Sequence, residues 1–127
     1  MIKALQIAQK AARKAIENTY TGVMTVSEMQ SVKDHNTHIT HSEEVVILEN
    51  QPCNLSFESI AAAVQTDTAA AISQSVKVFL SPDITIKAGS KLTITQNGVT
   101  TVYKSSGVPA VYPTHQEIIL ELFKKWA

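Results

Sequence analysis

The first apolar–polar rhythm along the chain is helical. Ile2, Leu5, Ala8, Ala12, Ala15 and Ile16 recur at steps of three and four, while Lys3, Gln6, Gln9, Lys10, Arg13 and Lys14 fill the other positions. That spacing gathers the apolar set into one stripe of an amphipathic helix over residues 2–19. The stripe is rich in alanine, so the helix can approach another surface closely but buries little area alone. It is expected to dock on the rest of the domain or on a neighbouring subunit.

Beyond Tyr20 the period falls to two. Val23, Thr25 and Ser27 alternate with Met24, Val26 and Glu28, which predicts a strand over residues 22–32. Asp34-His35-Asn36-Thr37 has turn chemistry. A second extended region begins at Ile39 and firms up at Val45-Val46-Ile47-Leu48, Glu49-Asn50-Gln51-Pro52 breaks it, and residues 53–57 read as a third strand. Residues 59–75 are the least strand-like and fit either a long mobile loop or a short Ala-rich helix capped by Asp67 or Thr68.

The second half carries the clearest β pattern. Residues 76–80 form a run stopped by Ser81-Pro82-Asp83, followed by Ile84-Thr85-Ile86 and a turn at Ala88-Gly89-Ser90. Residues 91–96 alternate, Asn97-Gly98 is a strong two-residue hairpin signal because both positions tolerate positive φ, and residues 99–104 return. Residues 105–109 read as a loop. The last segment, 114–126, carries two signals at once. Ile119, Phe123 and Trp126 fit helical spacing, Ile118, Leu120 and Leu122 fit a strand, and propensity alone favours the helix.

Composition places this pattern in one globular domain, residues 1–127, with a helix over 1–20 and the β part over 21–127. Hydrophobic residues make up 44% of the chain and charged residues 17%, which is too apolar for a disordered chain. The net charge is +0, so the basic excess that phosphate binding requires is missing and tight DNA binding is not expected. Charge is nevertheless uneven. The first twenty residues hold Lys3, Lys10, Arg13 and Lys14 against Glu17, whereas residues 21–60 hold only Lys33 against Glu28, Asp34, Glu43, Glu44, Glu49 and Glu58. Such a basic end and acidic middle can guide subunit stacking. No run approaches membrane-spanning length and no signal-like apolar region stands at the start, so the chain is expected in the cytoplasm when made, with no membrane partner.

Candidate chemistry is sparse. His35, His38 and His41 form H-x-x-H-x-x-H and are weak metal-ligand candidates. On a strand, steps of three send successive rings to opposite faces, and the intervening residues are poor helix formers, so a solvated polar turn is the preferred reading. The one cysteine, Cys53, excludes an intrachain disulfide and reads as a buried structural thiol. His115 reads as a hydrogen-bonding residue leading into a strand. Glu43 and Glu44 diverge on a strand, and there is no nucleophile elbow, Walker A motif or dinucleotide fingerprint. No cofactor and no catalytic residue are expected, and the chain is read as a non-enzyme.

Ser81-Pro82-Asp83-Ile84-Thr85-Ile86-Lys87-Ala88-Gly89-Ser90-Lys91-Leu92-Thr93-Ile94 opens a longer resemblance. It continues through Gln96-Asn97-Gly98-Val99, Tyr103-Lys104-Ser105-Ser106-Gly107, Ala110-Val111-Tyr112-Pro113-Thr114-His115-Gln116-Glu117-Ile118 and Trp126-Ala127. This half of the chain resembles the head-closure, or head–tail connector, minor capsid proteins of long-tailed phages and prophages of Gram-positive bacteria. The resemblance implies a mainly β fold, a small antiparallel β-barrel with an N-terminal amphipathic α-helix, and it implies that residues 116–122 are a barrel strand despite their helical pattern. It also implies a homo-oligomeric ring in the virion, below the portal, that joins head to tail and helps retain packaged DNA. The implied partners are portal-proximal adaptor and tail proteins, with only passive contact to DNA. Within that picture Gln65, Thr66, Asp67, Thr68 and Ser73 are candidates for an assembly or lumen loop. The rival reading is a small monomeric OB-like regulatory module that binds a ligand or nucleic acid. It needs aromatic platforms with basic neighbours, and only Tyr103 has one, in Lys104.

Overall fold

The computed structural model describes residues 2–59 and 74–126. Along the chain it places helix α1 (Ile2–Glu17) and strands β1 (Gly22–Lys33), β2 (Thr40–Ser59), β3 (Gln74–Leu80), β4 (Lys91–Gln96), β5 (Val99–Val111) and β6 (Gln116–Leu122). All strand pairs are antiparallel, and the order β1-β2-β3-β6-β5-β4 closes on itself as a barrel. The mainly β class, the barrel and the N-terminal helix thus stand as expected.

Period-two patterning explains the closure. Met24 and Val26 on β1, Cys53 and Leu55 on β2, Val78 and Leu80 on β3, Leu92 and Ile94 on β4, Tyr103 on β5, and Ile118 and Leu120 on β6 all point inward and form one core. A six-stranded barrel is narrow enough for such side chains to fill it. Asn97 and Gly98 both adopt positive φ, at 53° and 77°, and Gln96 pairs with Val99 across them, so the two-residue hairpin is present. Residues 116–122 are a strand. Pairing with β3 and β5 on its two sides outweighs the helix propensity of the segment.

Three expectations are corrected. Residues 49–52 do not break the second strand. β2 runs unbroken from Thr40 to Ser59, with Asn50 at φ 55° and register shifts opposite Met24, Val26 and Ser27. Turn-type residues here build β-bulges, which bend and twist a strand without ending it. Pro52 pairs with Val23, and β3 joins β2 only from Cys53 onward, so the missing N–H of Pro52 interrupts no bond to β3. Residues 105–109 are likewise strand rather than loop, because β5 continues to Val111 through a bulge where Gly107 takes φ 77°. Ile84-Thr85-Ile86, conversely, is not strand. It crosses as irregular chain with Ile86 in the core, and the buried Gln116 side chain holds it by donating from Nε2 to the carbonyls of Ser81, at 2.7 Å, and Ile84.

Candidate assembly surfaces

Two elements project from this barrel. The first is α1. Its polar face, through Gln6, Gln9, Lys10, Arg13, Lys14 and Glu17, lines a cleft that Asp83 and Pro113 close from the barrel side. Arg13 is the tether. Its Nη2 donates to Ser81 Oγ at 2.8 Å and to Asp83 Oδ2, and its Nε donates to Glu17 Oε2 at 3.1 Å. The Asp83 bond, followed by the Glu17 bond, raises the Arg13 pKa. Tyr20, half-buried at the base of the helix, has its hydroxyl shielded from solvent, and burial pushes its pKa up.

The consequence is an inverted mounting. Leu5 and Ile7 are 61% and 65% exposed, and Ala8, Ala11, Ala12 and Ala15 are exposed with them. Most of the apolar stripe points to solvent, as do Lys3, Gln6, Lys10 and Lys14, while Gln9, Arg13, Ile16 and Glu17 are half-buried. Leu5, Ala8, Ala12 and Ala15 of the stripe therefore do not dock on this domain, whereas Ile16, at its C-terminal end, is half-buried.

The second element is an arm. β1 pairs with β4 only as far as Ser27, and β2 pairs with β3 only from Cys53. Beyond those points residues 28–33 pair with residues 40–45, and with nothing else among the described residues. The two bulges of β2 sit where the arm leaves the barrel, and they re-aim it. No arm residue is buried, and Met29, Val46 and Ile47 are exposed apolar side chains on it or at its root. Acidic groups surround them: Glu28, Glu43, Glu44 and Glu49, of which Glu44 meets Lys91 Nζ at 3.2 Å and Glu43 meets His41 Nε2 at 3.4 Å.

The three clustered histidines lie at or beside the arm's tip. Asp34 holds the turn, its Oδ1 accepting from Asn36 N at 2.8 Å and its carbonyl from His38 N at 2.8 Å, with His38 at φ 59°. His35, His38 and His41 are all exposed, and no three His, Cys, Asp or Glu among the described residues are gathered to hold a metal ion. Cys53 is fully buried, and burial pushes its pKa up to about 12, which keeps the thiol protonated and unreactive. His115 bridges Thr114 Oγ1 at 3.1 Å and Glu117 Oε2 at 3.2 Å and stacks on Tyr112, a structural role. The loop candidates Gln65, Thr66, Asp67, Thr68 and Ser73 lie outside the described residues.

A further groove is formed by Phe57, Val76, Tyr103, Leu120 and Leu122 with Lys104, Lys124 and Lys125 at its rim. In the sequence Phe57 and Tyr103 are scattered. The closure of β2, β3, β6 and β5 brings them to one place, and no local signal could have shown it.

No protein-family model and no curated protein matches the chain. Among solved structures the chain is similar to the phage-like element PBSX protein xkdH from Bacillus subtilis, with a TM-score of 0.49 and 9% identity over 82% of this chain and 96% of that one. Neither figure is high enough for the likeness to say what this chain does.

Proposed function

We propose that the chain is a non-catalytic structural protein of the phage head–tail connector, forming a ring below the portal that joins head to tail and helps retain packaged DNA. One observation carries the reading: an amphipathic helix tied to its own barrel through Arg13, with most of its apolar stripe exposed. A monomer gains nothing from that mounting, and an assembly gains a covered stripe. The closed barrel supports it, because closure leaves few strand edges and directs association to the projecting elements. The resemblance of residues 81–127 to head-closure proteins names the assembly, and zero net charge suits a wall past which DNA slides without sticking.

The partners on this reading are copies of the chain, portal-proximal adaptor and tail proteins, and DNA as passive cargo, in the virion after assembly in the host cytoplasm. The test is electron microscopy of the purified chain mixed with portal-bearing heads. A ring seated below the portal is expected, and heads that never take up the chain overturn the reading. The groove at Phe57 and Tyr103, with Lys104, Lys124 and Lys125 beside it, favours the rival, an OB-like nucleic-acid module. Submicromolar retardation of single- or double-stranded DNA at physiological salt would establish the rival and remove the passive wall.

A further inference from the structure

We infer that the outward stripe of α1 in one copy docks on the β1–β2 arm of the next copy, so that subunits join head to tail. The inference rests on the connector reading and names the contact that builds its ring.

Four observations converge on it. The stripe of Leu5, Ile7, Ala8, Ala12 and Ala15 has no cover from its own barrel, because Arg13 holds the opposite face against Ser81 and Asp83. The arm offers the matching apolar surface in Met29, Val46 and Ile47. The charges are complementary. Lys3, Lys10 and Lys14 on α1 form no ion pair among the described residues, nor do Glu28 and Glu49 on the arm side, while the Phe57 groove carries three lysines against one acid, Glu121, which already meets Lys104. The dimensions agree as well. A sixteen-residue helix is about 24 Å long, and an arm of six residue pairs is about 20 Å long.

A chain cannot satisfy both surfaces by itself. Its helix enters β1 at Gly22, and its arm leaves at the other end of the same strand. Two different surfaces that meet between copies make a heterologous contact, which generates a ring when its rotation closes. Small apolar side chains let the helix lie close against a ribbon, and a two-stranded ribbon, marginal alone, gains the support of a third layer.

A charge-swap pair tests the contact in the full-length chain. Lys3→Glu/Lys14→Glu makes the helix acidic, and Glu28→Lys/Glu49→Lys reverses the two unpaired acids of the arm side. By analytical ultracentrifugation each double variant alone should self-associate at least tenfold more weakly than the parent, and their equimolar mixture should recover the parent's association. A mixture that stays dissociated overturns the inference, as does a parent that remains monomeric at millimolar concentration. A second readout does not depend on charge. In a mixture of Ile7→Cys and Ile47→Cys chains the disulfide should form between unlike chains, whereas Ile7→Cys pairing with itself overturns the inference. The two levels separate cleanly. Rings on heads that ignore the charge swap sink this contact and leave the connector reading, in which case α1 covers another head protein. Swap-sensitive self-association by a chain that heads never bind supports the contact and sinks the connector.

Discussion

β1 and β2 build two regions that differ in everything but their strands. In the barrel half, Met24, Val26, Cys53 and Leu55 are buried and each strand has a partner on both sides. In the arm half the same ladder continues, yet no residue of 28–33 or 40–48 is buried and neither outer edge is paired among the described residues. One half is held by burial worth about 25 cal/mol for each Å² of apolar surface. The other is held by ladder bonds and strand twist, which alone are marginal in water. A barrel and a reaching arm can therefore share strands without sharing a source of stability, and the boundary between them lies at the β2 bulges.

The contrast breaks most readily in the core. Leu92 is fully buried opposite β1, so Leu92→Ala should cost about 2–5 kcal/mol in urea unfolding. A loss below 1 kcal/mol would show that the barrel does not close around it. The seam is the next point. β1 begins opposite Cys53, so Leu55 lies beyond its reach, and the Gln96 side chain substitutes for it, accepting from Leu55 N at 2.7 Å. Gly22 leaves the room: a Cβ there would lie 2.9 Å from Gln96 Oε1 and 3.0 Å from the Cys53 carbonyl. Gln96→Ala strands a part-buried amide and should cost about 1–3 kcal/mol. Unchanged urea stability would mean that water serves as well as the glutamine.

Cys53 gives the barrel half a pH signature that the arm lacks. The thiol ionises near its ordinary 9.0 in the unfolded chain but only at about 12 in the fold, because burial penalises the thiolate. Between those values the unfolded state holds fewer protons, so stability falls as pH rises, by about 1.4 kcal/mol per unit. Roughly 2 kcal/mol should be lost by about pH 10.5 relative to pH 8, with most of the loss above pH 9. Cys53→Ala should flatten the slope but not abolish it, because burial raises the Tyr20 pKa as well. An equally steep slope in Cys53→Ala would place the titration elsewhere.

These elements are unequally legible in the sequence. The β4–β5 hairpin is plain, since Asn97-Gly98 meets a demand of its backbone that few residues meet. α1 is plain too, but the direction of its stripe is not, because that depends on Arg13 meeting Asp83, seventy residues away. Asn50 and Gly107 look like chain breakers in the sequence because a bulge and a turn recruit the same left-handed residues. β6 is ambiguous locally, and resemblance rather than propensity gives the right answer. The arm's two strands and turn are visible, yet nothing local says where β4 and β3 stop pairing with them.

Smaller effects sharpen the comparison. Gly98 sits at φ 77° and no atom lies within 4 Å of the point a Cβ would occupy, so Gly98→Val introduces backbone strain without a clash. It should cost about 1 kcal/mol or slightly more, read as a lowered melting temperature. An unchanged melting temperature would remove the hairpin's special role in closing the barrel.

The smallest effect on the free chain, and the most informative, belongs at the root of the arm. Val46 and Ile47 are 48% and 40% exposed, and Ser27 opposite Val46 is small. Replacing both with threonine keeps β-branched side chains on these half-covered sites, so much of the covered area and the β propensity are retained. Ladder bonds use the backbone and survive the change. The double variant Val46→Thr/Ile47→Thr should therefore lie within about 0.5–1 kcal/mol of the parent in urea unfolding. On the proposed contact its self-association should fall clearly, because these two side chains are the apolar surface proposed to meet a neighbour. A loss of stability as large as that of Leu92→Ala would mean that the arm belongs to the cooperative unit after all, and the division at the bulges would then be one of shape alone. Unchanged stability with weakened association would show the two halves of one strand pair separated by function, the first folding the subunit and the second joining it to the next.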